Sequence, residues 1–276
     1  MLWDRYDALI LDLDGVVYIG DGAVPHAIEA LLAVSRSVRL SAATNNAARE
    51  SSVVGAHLRR LGLPISDEEV VTSAQAGAAL LCARLPPKSE VLAIGGSGVS
   101  SALLDVGLQP VKADHDLERS AEIASRVRGV MQGHGVDSGW WDFAAGAFAI
   151  NAGALWVATN ADATVPLPAG FGPGNGAFVE ALRFATGGEP LVAGKPQPAL
   201  FLETKQRLGF KNPLVVGDRV DTDIDGARAA GMDSLLVLTG VMSLESLREF
   251  SADRLPTYVG ADLRCLLEPR PPSGLG

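Results

Sequence analysis

Short, mostly apolar runs set the rhythm of this chain. Ala8-Leu-Ile-Leu11, Val38–Thr44, Glu69–Thr72, Val91–Ile94, Val130-Met-Gln132, Leu155–Thr159, Leu214-Val-Val216 and Leu235–Leu238 all read this way. Apolar residues on consecutive positions suit strands covered on both faces, as in parallel sheets. The first of these strands is expected to run from Ala8 to Asp14. Helices are expected over 25–34, 51–61 and 176–185, with a further one from Thr72 to about Cys82. Pro25 sits near a helix start, where a missing N–H costs least. Gly62 stops the second helix. This alternation predicts an α/β fold with a doubly wound parallel sheet.

Arg84-Leu-Pro-Pro-Lys88 breaks the pattern. A second α/β unit begins with Val91–Ile94 and closes near Thr186-Gly-Gly188, after which the opening rhythm resumes. The expected layout is a discontinuous core, 1–82 and 190–276, interrupted by an inserted domain, 83–189. Inserted domains beside a site commonly serve as lids. Residues 269–274, Pro-Arg-Pro-Pro-Ser-Gly, read as a linker-like tail.

Composition narrows the partners. The chain has 276 residues, is 47% hydrophobic and carries a net charge of −9. No basic stripe is present to neutralise nucleic acid, and an acidic surface does not suit anionic membranes. Cys82 and Cys265 fit neither a metal spacing nor a disulfide framework. No signal peptide and no membrane-spanning run is evident, so a cytoplasmic protein is expected.

Four polar blocks carry the chemistry. Asp12-Leu-Asp14-Gly15 ends the first strand, and Thr44-Asn45-Asn46 ends the second. Gly194-Lys195-Pro196 opens the returning half. Val216-Gly-Asp218-Arg-Val-Asp-Thr-Asp223 ends a later strand. Strand ends of a parallel sheet share one edge, where open α/β folds bind ligands. Asp12, Asp14, Asp218 and Asp223 would crowd together there, and like charges at close range cannot all stay ionised unaided. A hard cation resolves the conflict, and Mg²⁺ takes one or two carboxylates with waters and substrate phosphate. Lys195 and the Thr44 hydroxyl suit phosphate oxygens. The set points to phosphoryl transfer, with a carboxylate nucleophile that forms an aspartyl-phosphate and a second carboxylate as general acid and base.

The order of these blocks and the mid-chain insertion resemble the haloacid dehalogenase superfamily of aspartate-nucleophile phosphatases. Asp12-Leu-Asp-Gly-Val-Val-Tyr18, Ala158-Thr-Asn-Ala-Asp162 and Pro173-Gly-Asn-Gly176 resemble its subclass with a large α/β cap of C2 type, the 4-nitrophenylphosphatase-like branch. The resemblance implies a Rossmann-like core and a Mg²⁺-dependent phosphomonoester hydrolase. Asp12 matches the nucleophile and a metal ligand. Asp14 matches the general acid/base, its backbone carbonyl also on the metal. Thr44 and Lys195 match the groups that hold the phosphoryl group and steady the nucleophile. Asp218 matches a metal ligand, and Asp223 an acid behind it that orders metal waters. Asn45, Asn46 and His134 match positions lining the phosphate or substrate. The cap segments look most like actinobacterial relatives that hydrolyse glycerol 3-phosphate. Phosphoglycolate, nucleotides and pyridoxal phosphate are alternatives on similar scaffolds. Relatives often pair through their caps, so a homodimer is also expected. A receiver-like phospho-switch without turnover is the alternative of another class. It fits poorly with two carboxylates on the first strand and a large insertion.

Other features read as packing or surface. Ile94-Gly-Gly-Ser-Gly98 misses the dinucleotide-loop spacing. Trp140, Trp141 and Trp156 read as packing residues. His26, His57, His115 and Asp221 read as surface neighbours.

Overall fold

The computed structural model describes residues 2–167 and 169–268; the Pro-rich stretch 269–274 lies outside the described residues. The chain forms two compact units. One takes the stretch up to Thr44, Ser51–Val71 and the stretch from Lys195 onward. The other takes Asn45–Glu50 and Thr72–Gly194.

The first unit is built on a six-stranded sheet. Its order is Tyr258–Gly260, Ser234–Val237, Pro213–Gly217, Ala8–Leu11, Arg39–Thr44, Val70–Thr72. The central strand pairs in parallel on both sides, with Leu11 opposite Val216 on one neighbour and Ala42 on the other. All four of its residues are buried. Consecutive side chains point to opposite faces, so burial of all four means that both faces are covered. From the central strand the chain winds first toward Val70–Thr72. It later returns to the opposite side at Pro213–Gly217. The reversal point therefore lies between Ala8–Leu11 and Pro213–Gly217, where doubly wound sheets open a crevice at their carboxyl edge.

The first strand is shorter than its apolar pattern predicts. Its ladder ends at Leu11, and a last bond from the Asp12 N–H reaches the Val216 carbonyl at 2.8 Å. The Leu13 carbonyl then accepts the N–H groups of Val17 at 2.9 Å and Tyr18 at 3.1 Å. These bonds fold Asp14 into a turn, with Gly15 at φ +80°. A left-handed backbone of that kind suits glycine. The first helix starts at Ala27, two residues later than expected, because His26 adopts φ 64° and cannot be helical.

The second unit has its own five-stranded parallel sheet, ordered Leu191–Val192, Leu155–Ala158, Gly129–Gln132, Glu90–Ile94, Gln109–Val111. A hairpin, Thr164–Leu167 with Gly170–Pro173, forms a separate two-stranded sheet in the same unit. The helix Ser73–Cys82 packs against two of these strands, Gly129–Gln132 and Leu155–Ala158. It is capped reciprocally by Thr72 and Gln75. Trp156 is buried here and donates from Nε1 to Gln132 Oε1 at 3.1 Å. Gln132 in turn donates to Asn175 Oδ1 at 3.2 Å, so the indole serves packing with its polar edge satisfied. The short strands Gln109–Val111, Leu191–Val192 and Tyr258–Gly260 have no counterpart in the sequence reading. Two or three residues are too few to show a period.

Candidate active site

The first unit's sheet delivers its polar residues to one edge. Asp12 follows the central strand directly, and Asp218 follows Pro213–Gly217. Thr44 is the last residue of Arg39–Thr44 and is buried. After Asp218 the chain makes a π-helical turn, Val220–Ile224, closed by Ile224 N–H to the Arg219 carbonyl at 3.2 Å. Turns of this width recur at functional sites. This one swings Asp223 back over the strand end. Asp223 Oδ2 accepts the N–H groups of Asp218 at 3.2 Å and Arg219 at 3.1 Å.

Lys195 ties the carboxylates together. Its Nζ is buried and donates to Asp12 Oδ1, to Asp223 Oδ1 at 2.8 Å, and to the Ala43 carbonyl at 3.3 Å. One oxygen from each of Asp12, Asp218 and Asp223 lies within 4.8 Å of the others. Three carboxylates face one lysine, so the cluster carries excess negative charge. Burial pushes the Asp12 carboxyl up to about 8, with Lys195 opposing and Asp223 and Asp218 adding to the rise. Burial and then Asp223 push Asp218 up to about 6, against the pull of the Val241 N–H. Burial works against the Lys195 charge, yet Asp12 and Asp223 outweigh it and its pKa is raised. An all-oxygen donor set short of positive charge fits a hard divalent cation. Asp12 and Asp218 are the carboxylates suited to hold it. Both oxygens of Asp223 are engaged by Lys195 and by backbone N–H groups, which makes it an anchor behind them.

Asp14 is exposed on the turn beyond Asp12. Asp221 is exposed and paired with Arg219 at 2.6 Å, as a solvated neighbour should be. His57 is half-buried, edge-on to Tyr18 with ring centroids 4.9 Å apart, rather than a surface residue. The remaining three candidates lie in the second unit. Asn45 donates from Nδ2 to both Asp162 oxygens, at 3.2 and 3.3 Å. Its carbonyl accepts Ser73 Oγ at 2.7 Å and Asn160 Nδ2 at 2.8 Å. Asn46 Oδ1 accepts the Ala48 N–H at 3.0 Å. His134 is half-buried, and its carbonyl accepts the Gly96 N–H at 3.2 Å.

The sequence reading overlooked one loop, Thr239-Gly240-Val241. The Val241 N–H donates to Asp218 Oδ2 at 3.1 Å, and Thr239 Oγ1 to the Gly15 carbonyl at 2.6 Å. A β-carbon on Gly240 would sit 1.8 Å from Asp218 Oδ2, so only glycine fits. The available signal was position: Thr-Gly directly follows an apolar strand, as the other site loops do.

Residues 9–109 match the family described as haloacid dehalogenase-like hydrolase, and residues 192–266 match a second, HAD-hydrolase-like family. The D-glycerol 3-phosphate phosphatase of Mycobacterium tuberculosis is 48% identical over 262 residues, 95% of this chain and 71% of that protein. The chain belongs to the haloacid dehalogenase-like hydrolases. An acid sugar phosphatase of Staphylococcus aureus is 32% identical over 94% of this chain and 96% of its own length. Among solved structures, the Mycobacterium tuberculosis glycerol phosphate phosphatase in complex with magnesium superposes with a TM-score of 0.87 at 46% identity. That match covers 95% of this chain and 77% of the other. A 4-nitrophenylphosphatase from Thermotoga maritima superposes with a TM-score of 0.82 at 25% identity, over 95% and 97% of the two chains. This haloacid dehalogenase-like hydrolase is a phosphatase. It groups with turnover enzymes, not with receiver switches. Among the described residues no helix is long and apolar enough to cross a membrane.

Proposed function

We propose that this phosphatase hydrolyses glycerol 3-phosphate with Mg²⁺, through an aspartyl-phosphate on Asp12. The observation that carries the chemistry is the Lys195 bridge between Asp12 and Asp223 beside Asp218, at the reversal point of the sheet. The substrate rests on the 48% identity to a glycerol 3-phosphate phosphatase across 95% of the chain.

Asp12 attacks phosphorus, and the bond from phosphorus to the glycerol oxygen breaks. Asp14 gives its proton to the departing alkoxide. It then takes a proton from water as that water attacks the aspartyl-phosphate, which frees Asp12 and releases inorganic phosphate. Lys195 holds Asp12 in place and opposes the charge that builds on the phosphoryl oxygens. The Thr44 hydroxyl binds one of those oxygens. Asp12, Asp218 and the Asp14 carbonyl would hold Mg²⁺, which neutralises charge on the phosphoryl group when bound. The expected division of labour, core chemistry in 1–82 and 190–276 and substrate choice in 83–189, is part of the same proposal. Asp12, Lys195, Asp218 and Asp223 all belong to the first unit.

The test is phosphate release from glycerol 3-phosphate, phosphoglycolate, pyridoxal phosphate, nucleoside monophosphates and 4-nitrophenyl phosphate. Glycerol 3-phosphate should show the highest kcat/KM, and Asp12→Asn should release none. Equal, slow release by parent and variant from every compound would falsify the enzyme reading. A higher kcat/KM on another ester would replace the substrate alone.

A further inference from the structure

Two site residues are chain neighbours of the second unit. Thr44 is the last residue before a crossing into that unit, and Lys195 is the first after a later crossing back. Asn45 and Gly194, which adjoin them, belong to the second unit. We propose that Ser73 and Asn160 are positioning residues for Thr44 and Lys195, acting through the main chain of Asn45 and Gly194. The role rests on reading Thr44 and Lys195 as the groups that hold the phosphoryl group.

The Asn45 carbonyl accepts two bonds from different elements, Ser73 Oγ at 2.7 Å and Asn160 Nδ2 at 2.8 Å. Ser73 opens the helix Ser73–Cys82, whose start is fixed by the reciprocal cap of Thr72 and Gln75. Asn160 follows the strand Leu155–Ala158 and is tied by its other polar groups. Its Oδ1 accepts the Asp162 N–H at 3.2 Å, and its carbonyl accepts Asn175 Nδ2 at 2.7 Å. Ser73, Asn160 and Asn175 are all buried. A buried network with its bonds satisfied holds one geometry, since another would leave donors or acceptors unpaired. The Asn45 side chain adds a tether to both Asp162 oxygens. Gly194 packs into the same cluster. A β-carbon there would stand 2.7 Å from the Thr159 carbonyl oxygen and from Asn45 Oδ1, and 3.0 Å from the Asn160 β-carbon. The cluster therefore sets the spacing between the residue after Thr44 and the residue before Lys195. Peptide units are planar, so few torsions separate these anchored neighbours from Thr44 and Lys195. A displacement of about 1 Å at a reacting group costs up to ~100-fold.

Ser120 supplies a matched control. It is buried in the same unit, and its Oγ also donates to a carbonyl at 2.7 Å, that of Asp114. Ser73→Ala and Ser120→Ala thus delete similar bonds, only one of them next to Thr44. The probe is orthovanadate, a phosphate mimic, measured as a competitive inhibitor. Ser73→Ala should raise its inhibition constant about tenfold and lower kcat/KM about tenfold. The loss should be equal on glycerol 3-phosphate and 4-nitrophenyl phosphate, which share the phosphoryl group. Asn160→Ala should do the same, and Ser120→Ala should stay within about twofold on each reading. Equal effects in Ser120→Ala overturn the proposal, as does an unshifted vanadate constant in Ser73→Ala and Asn160→Ala, or a loss on one ester alone. Should Ser73→Ala or Asn160→Ala misfold by circular dichroism, the other is read against Ser120→Ala. Thr44→Val separates the two levels of the argument. An unmoved vanadate constant there removes the phosphoryl role of Thr44 itself; a raised constant there, with Ser73→Ala unmoved, removes the positioning role alone.

Discussion

Two carboxylates one residue apart have different surroundings, in keeping with the different work proposed for them. Asp12 touches the buried Lys195 at the strand end; Asp14 stands exposed on the turn. Asp14→Asn should therefore cost about 100-fold on glycerol 3-phosphate and far less on 4-nitrophenyl phosphate. Steady-state kinetics on both esters reads the difference, and matched losses would count against the acid role. Lys195 is the opposite case, a buried cation whose removal leaves Asp12 and Asp223 unpaired. Lys195→Met should abolish turnover and destabilise the fold by about 3 kcal/mol, read from urea unfolding. An unchanged midpoint would mean that the pair contributes nothing to stability. Asp12, Lys195, Asp218 and Asp223 were legible in the sequence because each sits beside an apolar run or a turn signal. Thr239 was not, since a lone Thr-Gly carries no charge pattern and its partner, the Gly15 carbonyl, is backbone.

At the scale of elements, strand ends and tight loops do the positioning. The π-helical turn Val220–Ile224 returns Asp223 to Lys195, and Gly240 leaves room for Asp218. Gly240→Ala would drive a methyl group into Asp218 Oδ2. The expected result is a rise of about tenfold in the Mg²⁺ concentration for half-maximal activity, with the far-UV spectrum unchanged. Metal titration under saturating substrate measures it, and an unshifted titration would show that Asp218 can move aside freely. Of the eight strands expected from the apolar runs, seven lie within a residue of their observed bounds, while seven short strands among the described residues were not expected. The first strand was overextended, because Leu13 continues the apolar pattern while its carbonyl closes a turn.

At the scale of the whole molecule, charge balance links the site to stability. Asp12, Asp218 and Asp223 repel one another in the folded state, and a bound cation relieves that repulsion only there. Mg²⁺ should raise Tm, and a chelator should lower it and abolish activity. Asp218 has a carboxyl pushed up to about 6, so it is protonated at pH 5 and ionised at pH 8. The Tm gain from Mg²⁺ should accordingly be larger at pH 8 than at pH 5, as differential scanning fluorimetry can read. A gain that is equal at both values would separate the cation from Asp218.

The order of apolar runs along the chain determined the parallel α/β architecture and where the four polar blocks fall in it, because burial of consecutive positions leaves a local signature. Tertiary structure decided what locality cannot encode. Winding the sheet in both directions from Ala8–Leu11 put Asp12 beside Asp218 across more than two hundred residues. Packing then recruited a backbone carbonyl, a π-helical turn and the Thr239 hydroxyl into the same edge. Those contacts depend on three-dimensional approach, and no spacing along the chain records it.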